Sequence, residues 1–427
     1  MSILKDLPEL IKAGVLTQET ADRIQEYYRS KSGSSANRLV VVFGALGAIL
    51  VGLGIILIIA HNWDELSRGL KIFLAFLPLL AGQVLCGYVL IKRADSVTWT
   101  ESSAVFLFFA VGEAISLVSQ IYNIPGDIAT FMLTWMLLCL PLIYVMKSSI
   151  TSLLYICGIT FYAAYAGYWF NSSSEPNLYW LLLLAALPYY YLLYRRKPES
   201  NFMIFHNWVV PVSVIISLGT VGESTGKLLF IAYFSLFGLL YLIGHSDLFN
   251  GQKVRNNGYK ILGAFGTMVL LLALSFDGFW EELRVDNLQL GEVLSTPEFF
   301  ASVIMSLLAA LVLYLQYRKR SGDDIKPLSW IFALFIVTFI VGVSSPLAVV
   351  LINLYVLAIG ILTIRDGTRQ DHLGILNYGL LIITALVICR FFDTDLSFVS
   401  RGILFLSIGA GFFAANYTML KRRKANE

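Results

Sequence analysis

The sequence predicts an all-α, polytopic transmembrane helix bundle of about fourteen spans, with both termini in the cytoplasm and a short cytoplasmic helical hairpin ahead of the first span. Three observations carry this. Of the 427 residues, 57% are hydrophobic and only 14% charged, against about 25% charged in an ordinary soluble domain. The apolar residues gather into runs of about 20, the length a helix needs to cross a roughly 30 Å hydrocarbon core. The basic residues also alternate in density from loop to loop.

Residues 1–38 are polar and form the hairpin and its linker. Asp6 caps a first helix with Pro8 in its opening turn, and Gly14 stands where a left-handed residue would end it. Thr17 caps a second helix running to about Tyr28. Leu7, Leu10 and Ile11 can then pack on Ile24, Tyr27 and Tyr28. Ser30–Asn37, SKSGSSAN, is a flexible linker. No apolar signal core precedes the first span near Leu39, which acts as a retained anchor.

Residues 39–420 form the transmembrane domain. The first seven spans fall near 39–60, 70–91, 102–121, 128–146, 149–170, 178–194 and 205–221. Seven more fall near 226–244, 259–276, 299–317, 327–342, 346–364, 373–390 and 399–420. The count turns on Ser148 and on Gly342–Pro346, where neighbouring runs almost fuse. Residues 421–427 are a basic cytoplasmic tail. With the N-terminus inside, 25 of the 31 Lys and Arg lie on the cytoplasmic side. The six outside are Arg68, Lys71, Lys227, Arg284, Arg390 and Arg401. Span positions follow from the apolar runs alone, so this charge bias supports the orientation independently.

Smaller features fit the same frame. The outer loop 277–298 carries six acids against Arg284 and has room for a short amphipathic helix on the outer surface. Cys86, Cys139, Cys157 and Cys389 lie inside apolar runs without paired or metal-ligand spacing and read as small core hydrophobes. Gly44, Gly47, Gly52 and Gly54 give the first span a small-residue face suited to close packing or to a hinge. Ser-Arg-Gly recurs at Ser67–Gly69 and Ser400–Gly402, each time at the outer start of a span, either as a parallel repeat or as a recurring interfacial arginine.

Glu113 is the clearest ionisable residue deep in a span. A carboxylate there costs on the order of 2.5–3.5 kcal/mol on insertion scales, so it should face protein or a water-filled cavity. Ser116, Leu117 and Gln120 follow at helical spacing and extend the polar stripe outward to Tyr122, Asn123 and Asp127. The first span ends on the same side with His61, Asn62, Trp63 and Asp64, followed by Arg68. Together these residues make a candidate substrate site; singly, Trp63 and Tyr122 are also ordinary interfacial aromatics and Asn62 a helix cap. Arg390, Asp393, Asp395 and Arg401 end the last two spans outside. They complete an outward-facing anion site, an arginine fork gripping phosphate or carboxylate, or else pair among themselves.

Two stretches, GLGIILIIAHNWDELSRGLK (Gly52–Lys71) and GEAISLVSQIYNIPGD (Gly112–Asp127), carry a resemblance, joined by the hairpin LIKAGVLTQETADRIQEYY (Leu10–Tyr28). With them the chain resembles the bacterial family of predicted membrane proteins catalogued as domain of unknown function 2157. The resemblance is specific over about residues 5–146, with RFF near Arg390 fitting as well. It implies an inner-membrane protein and names no activity.

Walker-A, G-x-S-x-G, H-E-x-x-H and C-x-x-C motifs are absent. EELR at Glu281–Arg284 lies in a loop, and the histidines are split between the two sides of the membrane. Three readings follow. The first is a transporter or flippase for an amphipathic or lipid-linked anion. The second is a membrane-embedded enzyme acting at the outer face, with His61 or Glu113 as base. The third is a non-catalytic sensor or assembly protein whose hairpin docks a protein partner. The expected partners are membrane lipids and that docked protein; no cofactor, metal or nucleic acid is called for, since basic cytoplasmic loops follow from topology alone.

Overall fold

A computed structural model describes residues 7, 10–25, 63–168, 175–222, 226–249, 252–285, 294–319 and 326–391, and scattered positions over 397–413. The expected spans at 39–60 and, for the most part, 399–420 lie outside the described residues, as do the first-span glycines and the Ser400–Arg401 half of the repeated tripeptide. The chain divides into two compact units, residues 1–75 and 76–427.

In the first unit, Gly14 adopts φ +70°, and the N–H of Val15 returns to the Leu10 carbonyl at 3.0 Å, closing a helical turn. Residues 18–25 are helical, and the Thr17 hydroxyl accepts the Thr20 N–H at 3.4 Å.

The remaining described elements are helices: α1 (Arg68–Lys92), α2 (Val97–Tyr122), α3 (Ile128–Met146), α4 (Ser149–Tyr168), α5 (Leu178–Arg196), α6 (Asn201–Leu218) and α7 (Leu229–Gly244). They continue with α8 (Gly258–Ala273), α9 (Gly278–Val285), α10 (Pro297–Lys319), α11 (Ile331–Ser344), α12 (Leu347–Arg369) and α13 (Leu373–Phe391). Twelve of these occupy the places of twelve expected spans; α9 lies in the loop after α8. By length and composition nine qualify as membrane-crossing, the described ones being α1–α4, α6 and α10–α13. Of the five expected spans not among these nine, two lie wholly or mostly outside the described residues and three are α5, α7 and α8. Five tyrosines lower the hydropathy of α5. At 16 residues each, α7 and α8 are about 24 Å long.

Both uncertain junctions are real breaks. Lys147 takes φ +51° between α3 and α4. Ser345 is extended between α11 and α12, ahead of Pro346. The acidic loop does hold a short amphipathic helix, α9, with Gly278, Phe279 and Glu281 exposed and Trp280 and Leu283 buried. Its Trp280 is fully buried, donates Nε1–H to the Leu274 carbonyl at 2.8 Å and packs near Phe335 and Phe339. The buried indole anchors one face of α9 to the bundle while the opposite face stays exposed.

The two largest of four apolar clusters organise the described part of residues 76–427. One joins α2–α7 around Tyr155, Ile159, Tyr179 and Leu236; the other joins α7, α8, α11, α12 and α13 around Phe335, Ile352 and Ile382. Glycines let backbones meet: a Cβ on Gly263 of α8 would stand 2.5 Å from the Tyr241 amide nitrogen of α7. Some buried hydroxyls pair with one another, Tyr179 with Ser213 and Ser213 with Thr160, both at 2.6 Å. Cys86 and Cys139 are core residues, whereas Cys157 is exposed and Cys389 half-buried.

Loops of like parity touch. Lys319 lies 3.5 Å from Asp247, and Lys326 2.9 Å from Asp366. At the other end, the Gly226 N–H donates to Glu298 at 3.2 Å and Lys227 to the Leu283 carbonyl at 3.5 Å.

Candidate functional site

A cavity of about 880 Å³ lies between α1, α2 and α3. Its apolar walls include Phe76 and Leu79 of α1, Val111 and Ile115 of α2, and Phe131 and Leu138 of α3. Its polar groups are Gln83, Ser116, Ser119, Asp127, Thr130 and Thr134.

Local sequence builds the polar end. α2 stops because Asn123 adopts φ +51°, and the Ile124 N–H returns to the Ser119 carbonyl at 2.9 Å. The Ser119 hydroxyl donates to the Ile124 carbonyl at 3.0 Å, closing the turn over Pro125–Gly126. Asp127 then caps α3, its carboxylate accepting the Thr130 N–H at 2.7 Å. The Thr134 hydroxyl donates to the Thr130 carbonyl at 2.8 Å. Behind the cavity α2 and α3 are pinned together. Trp135 Nε1–H donates to the Phe108 carbonyl at 2.8 Å, and the indole lies against Gly112, where an added Cβ would stand 2.6 Å from it.

Of the residues expected from sequence, Asp127 lines this cavity, and Ser116 lines it with Asp127. Glu113 is half-buried on α2. At 100° per residue it falls, with Leu117 and Gln120, on the side of the helix turned away from Val111, Ala114, Ile115 and Val118. Among the described residues Glu113 makes no hydrogen bond or ion pair. Gln120 is exposed, and Tyr122 is 49% exposed. Trp63 and Asp64 stand in a 3-10 turn, Trp63–Glu65, with Lys71 Nζ 5.5 Å from the Trp63 ring centre, and Arg68 opens α1. His61, Asn62, Asp393, Asp395 and Arg401 lie outside the described residues. Arg390 lies elsewhere. It is buried at the end of α13, donates from Nη2 to the Ser275 hydroxyl at 3.1 Å and stacks 4.4 Å over Phe276.

Sequence reasoning overlooked Gln83, a lone amide in an apolar run, and the Thr130–Thr134 pair at helical spacing. It also passed over Glu101, placed just ahead of a span. That residue is only 7% exposed. Its carboxylate accepts the N–H groups of Ser149 at 2.8 Å and Ile150 at 2.9 Å and the Ser148 hydroxyl, capping α4 from the neighbouring α2.

No curated protein and no solved structure matches the chain. A family match does exist and takes in the capped turn after α2, the cavity walls and the start of α4: residues 8–152 match the family described as "Predicted membrane protein (DUF2157)", about a third of the chain.

Proposed function

We propose that this multi-pass membrane protein is a carrier, a transporter or flippase that takes an amphipathic, lipid-like molecule into the cavity between α1, α2 and α3. The carrying observation is that cavity: about 880 Å³, apolar along its walls and polar around the Ser119–Thr130 turn. An occupant with a polar head and a hydrocarbon part matches both surfaces. Phe76, Leu138 and Ile128 line it and are also exposed, so the cavity communicates with the surface that lipid covers. The described lining offers hydroxyls, an amide and one carboxylate, and Arg390 is engaged elsewhere. That chemistry favours a hydroxyl-bearing head, such as a lipid-linked sugar, over recognition of an anion through charge. Glu113, on the other side of α2, is the group we assign to coupling one proton.

The reading includes about fourteen spans in a bacterial inner membrane with both ends inside. The 25-to-6 distribution of basic residues and the meeting of like-parity loops support it. The N-terminal hairpin is then a cytoplasmic docking point for a protein partner.

Proteoliposomes test the proposal. Wild-type protein should move a fluorescent glycolipid between leaflets, and Ser119→Phe with Thr134→Phe should stop it by filling the cavity. Glu113→Gln should leave glycolipid binding intact and remove any dependence on a proton gradient. Lipid movement unaffected by the filled cavity would overturn the site, and no movement of any lipid class by wild type would overturn the carrier.

A further inference from the structure

We propose that a second cavity, at the opposite end of α2 and α3, holds the phosphate head of an anionic phospholipid. This cavity is about 350 Å³ and is lined by parts of α1–α6 and their connections, within the size range of about 300–1,000 Å³ usual for ligand pockets. Three cations line it. Lys147 follows the last residue of α3, Arg196 ends α5, and Lys197 comes next. Some 50 residues separate Lys147 from the other two along the chain (roughly, by the numbering), so only the packing of α3, α4 and α5 gathers them. Among the described residues none of the three side chains makes a hydrogen bond or ion pair. Unpaired cations at one site form a receptor for an anion, arginine through its planar fork and lysine as a point charge.

The lining also contains Asp95 and Glu101. Glu101 is already committed, since its oxygens accept two amides at the start of α4 and the Ser148 hydroxyl. Asp95 alone stands against three cations.

The walls select a lipid over a soluble phosphate. Leu90, Val145 and Leu192 line the cavity and are 42%, 56% and 43% exposed. Apolar surface therefore runs from the cavity onto the outside of the helices, a path an acyl chain can follow and a soluble anion cannot use. The cations sit at helix ends, the depth at which head-group phosphates lie. The inference holds whichever way the protein faces, and it is independent of the carrier cavity.

The test uses full-length protein in nanodiscs of equal phosphatidylglycerol and phosphatidylcholine, with retained lipids counted by native mass spectrometry. Each cation near the surface favours an anionic lipid by about five-fold, so three together give roughly a hundred-fold. Wild type should retain phosphatidylglycerol selectively, and a Lys147→Asn, Arg196→Gln, Lys197→Gln variant should lose that selectivity. Asparagine is chosen because position 147 is left-handed. A second measurement needs no variant: a head-group photoreactive phosphatidylglycerol should label wild type around residues 145–149 and 192–197. Selectivity kept by the triple variant, or labelling elsewhere, overturns the proposal. Protection by glycerol phosphate equal to that by the lipid also overturns it, because it would make this a soluble-anion site.

Discussion

Removing Glu101 isolates a contact that ties α2 to the start of α4. Its Oε1 accepts the Ser149 N–H at 2.8 Å, and its Oε2 accepts the Ile150 N–H at 2.9 Å and the Ser148 hydroxyl. In Glu101→Ala the Ser148 hydroxyl still has Thr151 Oγ1 at 2.8 Å. The two amides at the start of α4 have no such replacement. Each buried donor left unpaired costs about 1–3 kcal/mol, and water entering from the adjoining cavity reduces the sum, so the loss should be about 2–4 kcal/mol. Glu101→Gln keeps one oxygen. Its best orientation points the NH2 at Ser149 and leaves a single amide unpaired, for about 1–2 kcal/mol. The assay is reversible unfolding in mixed micelles, titrated with a denaturing detergent and followed by tryptophan fluorescence. An alanine variant within about 0.5 kcal/mol of wild type, or a glutamine variant less stable than alanine, would refute the capping argument.

Four further outcomes follow by the same assay or by direct labelling. Trp280→Ala removes a fully buried indole and its 2.8 Å bond to the Leu274 carbonyl, and should destabilise by about 3–5 kcal/mol; a surface helix would show almost none of this. Gly263→Ala forces a methyl to within 2.5 Å of the Tyr241 backbone and should cost about 1–3 kcal/mol, whereas Gly69→Ala, with open space at its Cβ, should cost far less. Asp127→Asn should preserve the α3 cap and Asp127→Ala should lose about 1 kcal/mol, with equal losses arguing that the carboxylate does something other than cap. For orientation, cysteines placed at Asn123 and Arg93 should react with an impermeant thiol reagent from opposite sides of sealed vesicles, and labelling from one side would disprove the alternation of spans.

Helix positions were largely legible because they depend on local chemistry. The predicted 128–146 run coincides with α3, since an apolar stretch between Asp127 and Lys147 has a cap at one end and a left-handed residue at the other. Gly14, Thr17 and Pro346 likewise punctuate the chain through backbone geometry that each residue carries with it. The site was less legible. Glu113 and Gln120 share a stripe of α2 by spacing and Asp127 lies just past its end, yet a cavity is bounded by which side of that helix meets its neighbours, and α3 meets α2 at Gly112 and Phe108. That choice put Gln83, Thr130 and Thr134 into the lining and turned Glu113 aside.

A chain that is more than half apolar must place most of its helices in hydrocarbon, and its charges must then collect in alternate loops; solvent physics alone dictates this, acting on every residue separately. Contacts between residues distant along the chain are not additive in that way. Glu101 capping a helix that starts 48 residues later, Trp280 leaving an acidic loop for the core, and Lys147 meeting Arg196 at one cavity all depend on which helices became neighbours. Helices inside a bilayer choose neighbours by small-residue fit and hydrogen-bond partners, not by hydrophobicity, so those pairings arise only when the whole bundle packs.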